Sequence, residues 1–302
     1  MNYNRRSKLN KSKLFFWAAD YQANSGEGRL GRLFIKNLKN KKKKIIKIKP
    51  PSSKFLNYKY IVPFTGILFC WIYFLSKKKV IYLNYLPYWN FLIFLLLPPK
   101  TIIGPITGGA VFTKGSSDYL IRKYIFPILY LLSNFVLIIR FKKCLFSTNL
   151  LKKYLPRSII NKSEFNFVYK AIKKIKNHNS KQRKIDFLFY YRDHRNKKKF
   201  FPFKLITKLI KYNYNIMIVG DKININGLTN LGFVSYKKVN DLLKKTKYTV
   251  ISNENIFSFF TIDAINNNVK ILIETKDFKL LKDYRNNFIN FNFYRNNLKR
   301  LK

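Results

Sequence analysis

Acidic residues, histidines and cysteines are scarce in this chain. Its 302 residues include 13 Asp and Glu, 2 His and 2 Cys. No two acidic residues stand at i and i+2, so the sequence has no Asp-x-Asp metal site, and His178 and His194 lie outside any metal-ligand spacing. Two cysteines cannot form a disulfide framework, and Cys70 and Cys144 are predicted to be buried thiols within apolar runs. Metal-dependent chemistry is therefore not expected, and a reducing, cytoplasmic setting fits.

Other signatures are missing as well. The sequence contains no Walker loop and no G-x-S-x-G nucleophile elbow, which makes P-loop chemistry and serine hydrolysis unlikely classes. The apolar stretch 14–19 near the N-terminus is shorter than a signal-peptide core and is followed at once by Asp20. That stretch is predicted to be the first β-strand.

Long hydrophobic runs are also lacking. The three uncharged runs, 61–76, 91–99 and 125–139, each fall short of the roughly 20 residues that cross a bilayer, and Pro, Gly or Asn interrupts the two longer ones. We predict buried helices for all three. Their flanks are rich in lysine and aromatic residues, a mixture that favours peripheral contact with an anionic membrane over spanning.

Positive charge is abundant. The formal net charge is +48, from 61 Lys and Arg against 13 Asp and Glu. Such an excess is typical of proteins that bind nucleic acid or an anionic membrane surface. Lys, Asn, Ile, Phe and Tyr, which A/T-rich codons favour, are all heavily used, so solvated lysines account for part of the charge.

Apolar runs alternate with segments that have the spacing of amphipathic helices. At about 100 to 200 residues per domain, the length indicates two domains, and the polar, lysine-rich segment 161–184 contains the boundary between residues 1–165 and 166–302. The alternation predicts an α/β fold with two Rossmann-like domains, each with a parallel sheet. Strands are predicted at 14–19, 43–49, 79–84, 101–104, 143–147, 185–191, 215–220, 228–233, 248–252 and 270–273. Helices are predicted at 30–38, 61–76, 88–97, 119–135, 203–211, 237–245, 257–266 and in part of 278–302.

A glycine-rich loop follows the first predicted strand. Gly26, Gly28 and Gly31 allow close backbone approach to a ligand at a helix N-terminus. Their polar neighbours are Asp20, Asn24, Ser25, Glu27 and Arg29. A tight turn before a capped helix explains the same glycines. The segment 104–109 is a second candidate, a flexible turn with Thr107 and Gly108 facing a polar ligand; an ordinary turn is the alternative.

The second half carries a basic turn and an acidic segment. Arg192 and Lys197 follow the apolar strand 185–191, and Gly220 ends the next strand, so two cations stand at a sheet edge where a diphosphate would bind. Surface cations are the alternative reading. The segment 252–264 places Asn253, Glu254 and Asn255 near a helix N-terminus, with Asp263 further along that helix; a capped helix explains it equally well.

These features resemble the bacterial glycosyltransferases of the GT-B fold, the group 1 or family 4-like enzymes that include sucrose and mannosyl transferases, over nearly the whole chain. In that family an Arg and a Lys on the turn after the first strand of the C-terminal domain hold the donor diphosphate, which matches Arg192 and Lys197. Residues 26–29 resemble the family's N-terminal glycine loop. The family's paired Glu positions fall here on Asn255 and Asp263, with Glu254 displaced by one position.

The resemblance implies two Rossmann-like domains facing across a cleft. Residues 1–165 would bind the acceptor and residues 166–302 the nucleotide sugar, with the last helix packing back on the first domain. The implied activity is a metal-independent hexosyltransferase without a cofactor, in which Arg192 and Lys197 stabilise the departing diphosphate and Asp20 or Glu27 orients the acceptor or acts as base. Donor contacts are expected from Gly26, Gly28, Arg192, Lys197, Gly220, Asn253, Glu254 and Asp263, and acceptor contacts from Asn24, Arg29, Thr107 and Gly108.

The implied partners are a nucleotide-sugar donor, a lipid-linked or saccharide acceptor and an anionic membrane surface. The acceptor would belong to lipopolysaccharide, O-antigen or another cell-surface polysaccharide, and the protein would sit peripherally on the cytoplasmic face of the plasma membrane. A basic nucleic-acid-binding protein is the rival class, although no recognisable nucleic-acid module is present. A catalytically degenerate transferase-like subunit is the third reading.

Overall fold

All strand pairs in the described residues are parallel. The structure, a computed structural model, describes residues 13–22, 25–40, 44–48, 61–108, 119–173, 183–193, 198, 201–251, 256, 258–274 and 288–291. The chain divides into two compact units, 1–167 and 168–302, and each contains one 6-stranded sheet. The prediction of two Rossmann-like α/β domains is therefore confirmed.

The sheet of the first unit has the strand order β2-β1-β3-β4-β5-β6. Its strands are β1 (Leu14–Ala18), β2 (Ile45–Lys47), β3 (Lys79–Pro87), β4 (Ile102–Thr107), β5 (Lys143–Phe146) and β6 (Ser163–Glu164). All five residues of β1 are buried. A strand buried on both faces needs the unbroken apolar sequence that β1 has, because helices cover both sides of a parallel sheet.

The helices of the first unit cover the two faces of that sheet. They are α1 (Gly26–Asn40), α2 (Val62–Leu75), α3 (Phe91–Leu96), α4 (Phe126–Arg140), which continues a π-helical turn at Ile121–Ile125, and α5 (Arg157–Asn161). Phe34 of α1 stacks on Phe16, whereas Tyr73 of α2 stacks on Phe15. Alternate residues of β1 thus face different helices, as the two-residue period of a strand requires.

The second unit has the strand order β12-β11-β10-β7-β8-β9. Its strands are β7 (Ile185–Tyr191), β8 (Ile216–Gly220), β9 (Thr229–Asn230), β10 (Thr246–Val250), β11 (Lys270–Ile273) and β12 (Phe288–Asn290), and its helices are α6 (Phe203–Lys211), α7 (Tyr236–Lys244) and α8 (Phe259–Asn266). The amphipathic α6 buries Leu205, Ile206 and Leu209 against β7 and β8, in a core with Phe187 and Phe189.

Three sequence predictions need correction. The segment 104–109 was predicted to be a turn, but Gly104 to Thr107 belong to β4, because Ile106 pairs with Leu86 on one side and with Phe146 on the other. Short strands β6 and β12 were not predicted, and β12 lies in the segment that was expected to be partly helical.

The third correction concerns the apolar runs. Cys70 and Cys144 are buried as predicted, but the helices formed by the three apolar runs are not buried on all sides. Large apolar side chains of α2, α3 and α4 are exposed on their outer faces. One helix in the described residues, Ile121–Arg140, is long and apolar enough to cross a membrane by length and composition, with 20 residues and a mean hydropathy of 1.4. The run 125–139 had suggested a shorter helix.

Candidate functional site

The strand order of the first sheet reverses between β1 and β3, which is the topological switch point of this unit. The chain passes from β1 outward to β2 through α1, then returns to β3 on the other side of β1. Ligands of open α/β sheets bind outside the carboxyl ends of the strands at such a switch point. The loop between β1 and α1, which contains Asp20 and Ser25, lies at that edge.

Asp20 and Ser25 build this loop. One Asp20 carboxylate oxygen accepts a hydrogen bond from the Gln22 amide at 2.7 Å, and the other accepts from the Ser25 hydroxyl. Ser25 caps α1, since its Oγ accepts from the Gly28 amide at 2.8 Å. Both Asp20 oxygens therefore have a role in holding the start of α1.

The predicted glycines differ in their surroundings. A Cβ on Gly28 would overlap the Gln22 carbonyl oxygen, whereas a Cβ on Gly26 would meet nothing within 4 Å. Gly28 is thus required by the close approach of the chain to itself. The exposed Gly26, at the start of α1, is the glycine with open space in front of it.

Glu27 and Arg29 lie on the first turn of α1, near Tyr85 of β3. Burial raises the pKa of the Tyr85 hydroxyl to about 12; the negative charge of Glu27 raises it further and the positive charge of Arg29 lowers it. The charges of Glu27 and Arg29 therefore act on the Tyr85 phenol at the switch point. Tyr85 carries no motif and was not predicted.

Thr107 and Gly108 lie at the carboxyl end of β4, next to β3 in the sheet. The Thr107 hydroxyl donates to the Leu86 carbonyl at 3.4 Å, and the Thr107 carbonyl accepts from the Tyr88 amide at 2.9 Å. Gly108 is exposed. Although the predicted turn is a strand, both residues remain at the edge that also holds the α1 loop.

In the second unit the switch point lies between β7 and β10. The chain runs from β7 to β8 and β9 on one side and then returns to β10 on the other. Arg192 follows β7 directly, and the loop between β10 and α8 leaves from the neighbouring strand. Arg192 and the carboxyl end of β10 therefore share one edge of the sheet, as the strand order of a Rossmann-like domain demands.

Arg192 is held by three neighbours. Its Nη1 donates to the Tyr190 hydroxyl at 3.2 Å, its Nε lies 3.3 Å from Asp221 Oδ2, and its guanidinium carbon lies 5.4 Å from the centre of the Phe233 ring. The side chain is still 43% exposed. The hydrogen bond to Tyr190, followed by the interaction with Asp221, raises the pKa of Arg192, so the group stays cationic.

Gly220 ends β8 beside this turn. Its φ is +109°, and a Cβ there would overlap the Tyr191 carbonyl oxygen. The conformation brings Asp221 back to the neighbouring strand, where its amide donates to Tyr191 O at 3.0 Å and its carboxylate accepts from the Asp193 amide at 2.7 Å. Gly220 thus shapes the turn in which Arg192 sits.

Tyr190 connects Arg192 with the start of α8. Its ring stacks on Phe260 with centroids 5.5 Å apart, while its hydroxyl accepts from Arg192. Ser258 caps α8 by accepting from the Thr261 amide at 3.2 Å. Asp263 lies further along α8 and is 3% exposed, with the Tyr236 hydroxyl 3.5 Å from its Oδ1. Asp263 is therefore inside the unit and not at its edge.

Four predicted site residues fall outside the described residues: Asn24, Lys197, Asn253 and Glu254. Of the positions that are described, Arg192 and Gly220 come together in the second unit, and Asp20, Gly26, Glu27, Gly28, Arg29, Thr107 and Gly108 share one sheet edge in the first. Among the described residues there is no group of three or more His, Cys, Asp or Glu side chains that could hold a metal ion.

Three residues of the second site were missed by the sequence analysis: Tyr190, Asp221 and Phe233. Each contacts the Arg192 side chain. Asp221 follows directly on Gly220, and an acidic residue at the end of a strand beside a basic turn is a signal that could have identified it. Tyr190 and Phe233 read as ordinary apolar residues.

No protein-family model matches the chain, and no curated protein matches its sequence. Solved structures are similar in fold. A UDP-GlcNAc 2-epimerase of Methanocaldococcus jannaschii, in complex with UDP-GlcNAc and UDP, has 11% identity and a TM-score of 0.46 over 93% of this chain and 88% of that one. T4 phage β-glucosyltransferase has 10% identity and a TM-score of 0.45 over 92% and 85%. HepE of Anabaena in complex with UDP has 10% identity and a TM-score of 0.41 over 87% and 80%. No activity follows from likenesses at this level.

Proposed function

We propose that the protein is a metal-independent glycosyltransferase of the GT-B type. It moves a hexosyl group from a nucleotide sugar to an acceptor hydroxyl. The second unit binds the donor and the first unit binds the acceptor. The observation that carries the proposal is the position of Arg192 at the carboxyl end of β7, at the switch point of the second sheet, with its guanidinium partly exposed.

In the transfer step, the bond between the sugar's anomeric carbon and the diphosphate oxygen breaks, and its electron pair leaves with the diphosphate. Arg192 stabilises that growing negative charge, because a planar guanidinium donates two parallel hydrogen bonds to phosphate oxygens. Lys197, five residues later in the sequence, adds a second positive charge in this proposal. Tyr190 and Phe233 hold the guanidinium in place before the donor arrives.

The acceptor oxygen forms the new bond to the anomeric carbon and loses its proton. Glu27, exposed on the first turn of α1, takes that proton in this proposal. Asp20 has a positioning role: its two carboxylate oxygens accept hydrogen bonds from Gln22 and Ser25, and so hold the loop that precedes Glu27. Arg29, Thr107 and Gly108 orient the acceptor at the same edge.

The acceptor class belongs to the proposal as well. A saccharide or a lipid-linked saccharide of lipopolysaccharide, O-antigen or another cell-surface polysaccharide suits a basic, aromatic first unit working on the cytoplasmic face of the plasma membrane. An anionic lipid-linked acceptor would be attracted by the charge of the chain, whose net value is +48.

Thermal-shift measurements with UDP-, GDP-, ADP- and CMP-sugars test the donor site. One nucleotide class is expected to raise the melting temperature of the wild type. Arg192→Ala abolishes that rise. Arg192→Lys keeps part of it, because lysine has the positive charge but lacks the two parallel N–H donors of a guanidinium. Lys204→Ala, which removes an exposed cation of α6, is the matched control and keeps the full shift.

The proposal fails if no nucleotide sugar stabilises the wild type, or if Arg192→Ala binds the responding nucleotide as tightly as the wild type does. The role of Glu27 is tested separately. Glu27→Gln is expected to bind the donor normally and to lose transfer to the acceptor, by roughly 100-fold or more for a general base.

A further inference from the structure

Three helices of the first unit have apolar outer faces. On α2 the exposed residues Phe64, Leu68, Ile72 and Leu75 recur at helical spacing, and Leu75 is 72% exposed. We call the outer side of α2, α3 and the helix 121–140 the apolar face. Its other members are Leu92, Leu95, Leu96, Ile121, Tyr124, Ile125, Ile128, Leu131, Leu132, Phe135, Ile138 and Ile139. A soluble domain rarely leaves so many apolar side chains in water without a partner for them.

The apolar face is continuous because the three helices are neighbours. Trp71 of α2 donates its indole N–H to the carbonyl of Leu96, at the end of α3, at 2.7 Å. The ring of Trp89, just before α3, stacks on Phe126 at the start of α4, with centroids 5.7 Å apart. At the other end, the Arg140 guanidinium donates to the Leu97 carbonyl at 2.8 Å.

The inner side of the same layer is fixed to the sheet. Ser133 of α4 donates to the Tyr88 carbonyl at 2.6 Å, and the Tyr88 hydroxyl donates to Asn134, which in turn donates to Tyr154 O at 3.0 Å. Leu137 is fully buried. Crossing a bilayer would require α4 to give up these buried hydrogen bonds, so the helix is built to lie flat and not to span.

Charges of one sign surround the apolar face. Between Glu27 and Glu164 the sequence contains a single acidic residue, Asp118. Lys77, Lys78 and Lys79 follow α2 and are exposed, and exposed Lys100 and Lys142 follow α3 and α4. Each helix returns the chain to the amino edge of the parallel sheet, so these lysines gather at one end of the apolar face. Lys123 lies at the other end, 4.9 Å from the Tyr124 ring centre.

We propose that the apolar face inserts into one leaflet of an anionic lipid bilayer, with α2, α3 and α4 lying in the plane of the membrane. Helices of this kind bury their apolar side about 5 to 10 Å deep, at the boundary of headgroups and acyl chains. The lysines contact the anionic headgroups, and Trp89 and Tyr124 lie at the interfacial level. The inference goes beyond sugar transfer and does not depend on the donor site.

Two other partners fit the face less well. Nucleic acid would be attracted by the lysines but has no apolar surface that matches so many leucine, isoleucine and phenylalanine side chains. A second copy of the chain would cover the apolar side chains but would bring the same positive charge to the same rim, which opposes close association. An anionic bilayer matches both parts of the face, because its acyl chains contact the apolar side chains and its headgroups contact the lysines.

Co-sedimentation of the full chain with vesicles tests the proposal, without any nucleotide sugar or acceptor. We expect binding to vesicles of phosphatidylcholine with phosphatidylglycerol, and much weaker binding to phosphatidylcholine alone. Leu131→Ser combined with Phe135→Ser lowers the affinity at least about tenfold, because two apolar side chains no longer enter the bilayer. Tyr212→Ser, at an exposed aromatic of the second unit, leaves it unchanged.

The charge is tested in the same way. Replacing Lys77, Lys78 and Lys79 by Gln weakens binding to the anionic vesicles by about 100-fold, at roughly one kcal/mol per lysine near the surface. The matched control replaces the exposed Lys211, Lys237 and Lys238 of the second unit by Gln. Quenching of tryptophan fluorescence by brominated lipid is expected to fall when Trp89 is changed to Phe.

Several results would overturn the proposal. Equal binding by the Leu131→Ser and Phe135→Ser protein would show that the apolar face does not enter the bilayer. A lipid-free dimer that the same two changes dissociate would assign the face to a second copy. RNA binding that these changes weaken as much as vesicle binding would assign it to nucleic acid. The donor thermal shift is measured apart from vesicles, so failure of vesicle binding leaves the donor site standing, and failure of the donor site leaves the membrane proposal standing.

Discussion

Arg192 and Asp221 form an ion pair across the ends of β7 and β8, with Nε and Oδ2 3.3 Å apart. The same carboxylate oxygen accepts from the Asp193 amide at 2.7 Å, so Asp221 both shapes the turn and covers one edge of the guanidinium. A diphosphate bound at Arg192 therefore meets a carboxylate of the same sign in its immediate surroundings.

Asp221→Asn is expected to tighten nucleotide diphosphate binding. The asparagine carbonyl still accepts from the Asp193 amide, but the side chain no longer competes with phosphate for Arg192. Partly exposed ion pairs are worth about 0.2 to 1 kcal/mol, so the dissociation constant falls by up to about fivefold. Isothermal titration measures it.

Asp241→Asn is the control for Asp221→Asn. Asp241 pairs with Lys244 at 2.9 Å on the exposed side of α7, so its loss changes the net charge by the same amount without touching Arg192. If the two variants tighten binding equally, the effect comes from net charge alone; if Asp221→Asn weakens binding, the carboxylate serves the donor and does not compete with it.

The two glycines at the start of α1 are expected to behave differently. Gly28→Ala lowers the free energy of unfolding by about 1 to 3 kcal/mol, because its Cβ would overlap the Gln22 carbonyl. Gly26→Ala leaves it unchanged or raises it by up to about 1 kcal/mol, since no atom lies within 4 Å and alanine restricts the unfolded chain. Urea unfolding of both proteins measures the difference. Equal losses for the two variants would contradict this account of the loop.

Gly26→Ala also reports on binding. Because the fold tolerates it, a loss of acceptor or donor binding in this variant would mean that the ligand occupies the open space in front of Gly26. Unchanged binding would limit the role of this glycine to the helix start, and the predicted donor contact at Gly26 would be wrong.

Stability is expected to fall at alkaline pH. Burial raises the pKa of Tyr85 and of Tyr130 to about 12 from an ordinary value of 10.0. The folded protein therefore holds these protons more tightly than the unfolded chain does. Their contribution is complete below the ordinary value and is lost as the pH rises through the folded pKa values. The free energy of unfolding measured at about pH 8 and at about pH 11 gives the size of the loss.

Lysines also lose their charge in that range, which relieves repulsion, so a variant is needed to isolate the phenols. Tyr85→Phe removes one of them and leaves the lysines unchanged. The alkaline loss is expected to be smaller in this variant, and tyrosinate absorbance is expected to show one fewer late-titrating group. An identical pH dependence in both proteins would exclude Tyr85 as a contributor.

The sequence was sufficient to predict the sheets where apolar runs were nearly unbroken. β1 is a continuous apolar segment and Asp186 is the one charged residue of β7; both strands were placed within a residue of their observed bounds. β4 was cut short because Gly104 and Pro105 read as a turn. Its full length depends on pairing with β3 and β5, which are distant in sequence and invisible to a local pattern.

Burial was harder to predict for helices than for strands. α2 is apolar nearly all round, which normally indicates a helix enclosed in protein, and yet Phe64 and Leu68 are exposed. The apolar pattern indicates that the outer side of α2 prefers an apolar environment, but the same pattern fits a protein core, a partner surface and a bilayer. In the second site, Arg192 was found from its position after β7. Phe233 was not found, because it is distant in sequence and lies near Arg192 only in the fold, where the Gly220 amide donates to the Gly232 carbonyl at 3.0 Å.

The direction of the three helices has a kinetic consequence. α2, α3 and α4 run opposite to the strands they cover, so a sheet that rests on them has its carboxyl edge pointing along the bilayer. In the proposed membrane-bound arrangement, a lipid-linked acceptor would approach this edge by lateral diffusion within the leaflet. Turnover would then follow the mole fraction of acceptor in the surface, and adding inert lipid at fixed acceptor would slow the reaction as dilution slows one in solution.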